Sequence, residues 1–131
     1  LLSKTSYTNI CYNTHKLLKG AFLQNLAQEI IQILEDKKAE NVVCIDVSDK
    51  EYLVDYVVIA TAMVGKHSFA LLDHLKTTLK AKGVEFYATD EESEDWIIAD
   101  LGSVMVHIFT QNHRAKFNIE EFLQTLPKRL I

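Results

Sequence analysis

Three aspartates stand at the ends of two apolar runs and are the first residues whose types and spacing suit chemistry. Asp46 and Asp49 close the first run, and Asp55 precedes the second. Two carboxylates held close together can bind a divalent metal for phosphoryl transfer. Aspartate at a strand end more often caps a turn by accepting a backbone hydrogen bond. We favour the turn and keep the metal site as the alternative.

Other motifs of catalysis or cofactor binding are missing. The chain has four glycines, none close enough to another to form a phosphate-binding loop. His67 and His74 are seven residues apart on one predicted helix, without the spacing of a zinc site or a cysteine pair to complete one. No Gly-x-Ser-x-Gly turn is present. We therefore expect no catalytic residue, no cofactor and no metal.

The balance of charge bears on the kind of partner. The formal net charge is −4, and lysine and arginine are not clustered. A protein that binds nucleic acid through its phosphates needs such clusters, because the affinity comes from releasing counterions. We expect little direct contact with nucleic acid and a basic protein as the partner. No apolar run approaches the length of about 18 residues that a membrane span requires.

Apolar periodicity predicts the elements that position these residues. The length of 131 residues suits one domain. The second strand, the helix after it and the third strand form a crossover unit, which should be right-handed and should make these two strands parallel in a mixed sheet. The acidic stretch 89–95 is interpreted as a loop. A capping box of Asn118 and Glu121 is expected to start the last helix. The predicted helices cover about 23–38, 66–82 and 118–126, and the predicted strands cover 42–47, 54–62, 84–88 and the two arms of a hairpin within 96–109.

That hairpin is the stretch around which the rest of the predicted fold is organised. Both of its strands are apolar on both faces, and Gly102 stands where a tight turn can use a positive φ. A strand without a polar face is covered on both sides. We expect one cover to be the protein's own helices and the other to be a partner.

Three blocks of residues follow one another in a characteristic order: Asp55–Thr61 with Lys66 and His67, then Trp96–Phe109, then Arg114–Glu120. Together they resemble the ribosomal silencing factor family, also called Iojap-like proteins. The resemblance covers about residues 23–126.

The resemblance implies a single α/β domain, with a five-stranded mixed sheet flanked by helices in a nucleotidyltransferase-like topology but without that enzyme's activity. It implies binding to the large ribosomal subunit, chiefly to its protein fourteen, which blocks joining of the small subunit and represses translation. Organellar relatives act in assembly of the large subunit, which is the first alternative. A nucleotidyltransferase-like enzyme that uses Asp46 and Asp49 is the second.

The same blocks supply the expected partner-binding residues. Lys66 replaces the family's arginine, and Ser103 replaces the aspartate that commonly follows Gly102. Trp96 fits an interface anchor or a core tryptophan equally well. The expected set is Lys66, His67, Trp96, Ile98, Asp100, Leu101, His107 and Arg114.

Residues 1–22 lie outside the resemblance and are interpreted as a leader, poorly ordered or the remnant of an organelle transit sequence. Residues 23–131 then form the domain. We expect a cytoplasmic bacterial protein, with the mitochondrion or a plastid as the alternative, and leave the oligomeric state open between a monomer and a homodimer.

Overall fold

The computed structural model describes the backbone of residues 18–129 and the side chains of residues 25–129, so most of the predicted leader lies outside the described residues. The elements follow one another as helix, two strands, helix, three strands and two short helices. They are α1 (Leu18–Asp36), β1 (Glu40–Asp46), β2 (Tyr56–Ala62), α2 (Gly65–Ala81), β3 (Ala88–Ser93), β4 (Trp96–Asp100), β5 (Val104–Thr110), α3 (Gln111–Phe117) and α4 (Ile119–Gln124).

The five strands form one mixed sheet in the order β1-β2-β5-β4-β3, which confirms the predicted fold class. The two central strands, β2 and β5, are parallel, with Tyr56 opposite Val104. The other three pairs are antiparallel. Every residue of β2 is buried, as expected for a central strand whose two faces are both covered.

The sheet separates two apolar clusters. On one face, α1 and α2 pack against alternate residues of β1, β2, β4 and β5. On the other face, α4 contributes Ile119 and Leu123 and covers mainly β1, β2 and β5. Because α4 has only six residues, it leaves the β4 side of this face open.

Two predictions about the acidic region are wrong. Residues 84–87 form no strand, because Val84 N–H returns to the carbonyl of Leu79 at the end of α2. The predicted acidic loop instead contains β3, which pairs with β4 at the edge of the sheet. An edge strand has no neighbour on one side, and its charged side chains remain in water. The expected parallel direction of β2 and β3 is correct, but β5 and β4 lie between them.

The region after β5 also differs from expectation. Residues 111–117 lie outside every predicted element but form the helix α3, none of whose residues is fully buried, so the sequence shows no apolar period there. Asn118 joins α3 to α4 in a left-handed conformation, with φ of 46°. Its side-chain amide donates to the Glu121 carboxylate at 3.1 Å and makes no cap hydrogen bond to the helix backbone, so the predicted capping box is not formed.

The hairpin between β4 and β5 is present as predicted, and Gly102 has a φ of +94°. None of the helices within residues 18–129 has the length and apolar character needed to cross a membrane.

Candidate functional site

The open part of the second sheet face is an apolar groove of about 520 Å³, which we name the aromatic groove. Strands β4 and β5, the loop before β2, and helices α3 and α4 all contribute to it. The lining residues are Tyr52, Leu53, Trp96, Ile98, Met105, His107, Phe117, Ile119 and Phe122.

Trp96 is at the centre of a cluster of rings in this groove. Its indole stacks on Phe109, with ring centroids 5.2 Å apart, and lies 4.9 Å from the ring of Phe117. The imidazole of His113 is 6.0 Å away. Rings at these separations attract one another beyond the effect of area burial alone. Trp96 nevertheless stays partly exposed, so it combines the packing of a core residue with an accessible surface.

Trp96 also makes a specific hydrogen bond inside the groove. Its indole Nε1–H donates to Nδ1 of His107 at 3.0 Å. An indole nitrogen can only donate, so Nδ1 of His107 must be the acceptor and the proton of the neutral ring lies on Nε2. Burial lowers the pKa of His107 from 6.5 to about 4, which keeps this neutral form at physiological pH.

Nε2 of His107 is buried and has no hydrogen-bond partner among the described residues. An unpaired buried N–H group is costly, because it has lost its hydrogen bond to water without gaining another. A histidine between two apolar residues such as Val106 and Ile108 is expected more often to be an interior residue with its hydrogen bonds satisfied than a contact residue. The burial is confirmed, whereas only one of its two nitrogens is satisfied.

Carboxylates lie beside the apolar groove. Trp96, Ile98 and Asp100 alternate along β4 and therefore face the same side of the sheet. Asp90 lies opposite Ile98 on β3 and faces that side as well. Asp100 accepts a hydrogen bond from Gly102 N–H at 2.8 Å, which orients one of its oxygens toward the hairpin turn.

The fold brings only some of the predicted partner-binding residues together. Trp96, Ile98 and His107 line the aromatic groove, and Asp100 follows them on the same face. Leu101 is buried in the core on the opposite face, against the helices.

Lys66 and His67 lie in the first turn of α2, which packs on the other face of the sheet. Lys66 is exposed. His67 accepts a hydrogen bond from Met63 N–H at 2.9 Å through Nδ1, and its Nε2 lies 2.7 Å from the carbonyl oxygen of Lys37. His67 thus ties the turn after β2 to the end of α1.

Arg114 joins elements that are distant in sequence. Its Nη1 donates to the Asn41 carbonyl at 2.7 Å and to Thr61 Oγ1 at 2.8 Å. Its Nη2 donates to Oε2 of Glu120 at 2.8 Å. These hydrogen bonds give Arg114 a role in fixing the loops and short helices around it.

Of the three carboxylates of the alternative metal site, Asp46 serves as a turn residue. Asp46 Oδ1 accepts from Ser48 N–H at 2.9 Å and from Ser48 Oγ at 2.6 Å, which closes the predicted turn. Asp49 is exposed, and Asp55 lies 3.9 Å from Arg129. Among the residues that the structure describes, no three histidine, cysteine, aspartate or glutamate side chains are grouped to hold a metal.

Several groove residues were not predicted as site residues. Phe122 lies within the predicted last helix, and 52% of it is exposed. Leu53 is 81% exposed in the loop before β2. Both are large apolar residues at the surface, but exposure cannot be read from their types. Only the folded sheet shows that they meet beside Trp96.

The fold and the groove define a small single-domain α/β protein with a helix-covered mixed sheet and one aromatic groove at its surface. The family model described as "Ribosomal silencing factor during starvation" matches residues 21–129. The chain belongs to the ribosomal silencing factor family.

Relatives and solved structures agree with this assignment. The ribosomal silencing factor RsfS of Halalkalibacterium halodurans is 30% identical over 105 residues, which cover 79% of this chain and 90% of that protein. The mitochondrial Iojap-related protein of Arabidopsis thaliana is 33% identical over 97 residues, covering 70% of this chain and 53% of that protein. A crystal structure from Chromobacterium violaceum has a TM-score of 0.74 at 26% identity, with 82% of this chain and 89% of that one covered.

Proposed function

We propose that this protein binds the large ribosomal subunit through the subunit's protein fourteen, blocks joining of the small subunit and so represses translation. In this proposal it acts by occupying a surface and catalyses no reaction. Family membership supports a ribosomal partner. The observation that carries the proposal within the structure is the aromatic groove around Trp96.

The groove has the chemistry of an interface centre. Trp96 is held by rings on several sides and keeps an accessible surface, and tryptophan is among the residues that most often dominate binding energy. Leu53, Phe117 and Phe122 extend the apolar surface around it. An apolar side chain of a partner would displace water from all of these residues at once.

The surrounding charge favours a basic partner. Asp90 and Asp100 face the same side of the sheet as Trp96. Acidic groups beside an apolar centre speed the approach of a basic surface and repel the phosphates of ribosomal RNA. The proposed contact is therefore with a ribosomal protein, with little direct contact to RNA.

Co-sedimentation tests the proposal directly. The protein is mixed with purified large subunits, small subunits or intact ribosomes at physiological salt, and added small subunits then report whether joining is blocked. We expect binding to large subunits alone and a loss of joined ribosomes. Binding to small subunits, or to no particle, would contradict the proposal.

The variant Trp96→Ala tests whether the aromatic groove is the surface that contacts the large subunit. We expect a loss of about 2 kcal/mol in binding to large subunits, roughly a thirtyfold higher Kd, because the anchor side chain is removed. Phe69→Ala is the matched control, since Phe69 is a partly exposed aromatic residue on α2, on the other side of the sheet. Equal binding of both variants would place the contact elsewhere.

The compartment is part of the same proposal. We propose action in the bacterial cytoplasm, and the mitochondrial relative at 33% identity supports an organellar assembly factor as the alternative. A fusion of residues 1–23 to a fluorescent protein separates the two: import into an organelle supports the alternative, and a diffuse cytosolic signal supports the first.

A further inference from the structure

We propose that His107 is a positioning residue, which holds the indole of Trp96 in the orientation that docks the partner. This inference rests on the proposed function, because it gives Trp96 the role of the docking anchor. It adds that a hydrogen bond within the protein fixes the orientation of the Trp96 indole before the partner binds.

The geometry fixes the indole at two places. Its Nε1–H donates to His107 Nδ1 at 3.0 Å, while its ring packs against the rings of Phe109 and Phe117. A rotation of the indole about either side-chain bond would break the hydrogen bond or the stacking. The polar atom of Trp96 is thereby used within the protein, and the indole can offer the partner its apolar surface.

A histidine at this position is otherwise unfavourable. Its neighbours across the sheet on the same face are Ile59 and Ile98, and Met105 precedes it on that face of β5. Leucine would pack among these side chains without the unpaired N–H that His107 leaves at Nε2. Packing alone therefore favours a hydrocarbon, and the hydrogen bond to Trp96 is the interaction that only the imidazole supplies.

An indole that is already fixed in its docking orientation raises the affinity for the partner, because binding then does not have to immobilise this side chain. Ordering one large side chain at an interface weakens binding by roughly three- to tenfold. Removing the acceptor from His107 is expected to restore this cost and leave the contact surface of Trp96 in place.

The test compares His107→Leu with His107→Asn. Leucine keeps an apolar volume and removes the acceptor, whereas the asparagine oxygen lies near the position of Nδ1 and can accept from the indole. Three quantities are measured: the Kd for purified large subunits, the stability in urea, and the fluorescence anisotropy of the single tryptophan. Met105→Leu is the matched control, because it changes a groove residue without touching the hydrogen bond.

We expect His107→Leu to raise the Kd about three- to tenfold and to lower the tryptophan anisotropy without a matching loss of stability. The unpaired Nε2–H that it removes offsets the indole N–H that it leaves without an acceptor. His107→Asn should recover most of the anisotropy and part of the affinity, even if it is less stable. A role limited to packing predicts the opposite, with affinity following stability in all three variants.

The outcomes also separate this inference from the proposed function. If Trp96→Ala weakens binding and His107→Leu leaves both the Kd and the anisotropy unchanged, the positioning role is overturned and the docking site stands. If Trp96→Ala binds normally, the groove is not the docking site and both fail. If His107→Leu does not fold, His107→Asn decides: loss of anisotropy and affinity despite its acceptor would overturn the inference.

Discussion

The guanidinium of Arg114 donates a hydrogen bond to the backbone carbonyl of Asn41, 2.7 Å away, and so joins α3 to the start of β1. Thr61 and Glu120 accept from the same group, and its side chain is only 12% exposed. One planar cation therefore connects the first strand, the second strand and both short helices. Those helices carry Phe117, Ile119 and Phe122 into the aromatic groove.

Arg114→Lys should lower the free energy of unfolding by about 2 kcal/mol, because an ammonium group cannot reproduce the forked contacts with Glu120 and Thr61. Urea unfolding followed by circular dichroism measures the change. Lys116→Ala, at an exposed position on the same helix, should stay within about 0.5 kcal/mol of the wild type. Equal losses in the two variants would contradict the anchoring role of Arg114.

Stability should depend on His107 between pH 6.5 and pH 4. The pKa of His107 is about 4 in the folded protein, against 6.5 without burial. The unfolded chain thus binds more protons in this interval, and acidification should reduce the free energy of unfolding by about 3 kcal/mol from this residue. The contribution is fully present above pH 6.5 and is lost as the pH falls to about 4.

Comparison with His107→Leu isolates this effect from other titrating groups. Tyr52, Asp90, Asp100 and His113 lie around the groove and remain in both proteins. The variant should lose less stability than the wild type between pH 7 and pH 4. Parallel stability curves for the two proteins would show that His107 does not titrate in this way.

Alanine substitution at two glycines with positive φ distinguishes the cost of backbone strain from the cost of a steric contact. Gly83 has a φ of +84° and open space around it, whereas a Cβ on Gly102 would lie 2.6 Å from Cε2 of Tyr87. Gly83→Ala should destabilise the protein by about 1 kcal/mol through the backbone alone, and Gly102→Ala by about 2 kcal/mol. Thermal unfolding measures both.

Adding Tyr87→Ala to Gly102→Ala removes the ring that the new methyl group would meet. The extra loss at Gly102 should then disappear. If the double variant were no closer to Gly83→Ala than the single variant, the contact with Tyr87 would not be its cause.

The acidic side of the groove should act mainly on the rate of association. Asp90→Asn removes one negative charge from the groove face, and we expect association with large subunits to slow roughly twofold at low salt, with little change in dissociation. Asp73→Asn on α2 is the matched control, with the same charge change on the opposite side of the sheet. Stopped-flow mixing at two salt concentrations measures the rates, and equal slowing in both variants would point to net charge alone.

The sequence predicts the elements whose residues repeat with a clear period. The hairpin strands, the turn at Gly102 and helix α2 are found close to their predicted positions. Strand β3 was missed because its charged residues carry no apolar alternation, and α3 was missed because none of its residues is fully buried and it shows no apolar period. Apolar periodicity reveals an element only where one of its faces is buried, and these two elements are mostly exposed.

The residues of the candidate site also fall into those that the local sequence groups and those that it does not. Trp96, Ile98 and His107 share a groove because they lie within one predicted hairpin, so sequence spacing was enough to group them. Leu53 and Phe122 reach the groove only through pairings between distant segments. No local pattern shows that a residue of the loop before β2 and one of the last helix border the same surface.

The parallel pairing of β2 with β5 affects how the protein is made. Every residue of β2 is buried, yet its central partner strand begins only at Val104, after α2, β3 and β4 have been synthesised. At about 5–20 residues per second, one edge of an apolar strand stays unpaired on the nascent chain for on the order of seconds. Pairing between distant segments also slows folding. During each round of its own synthesis, this protein therefore passes through an interval in which β2 is open to aggregation and to binding by chaperones.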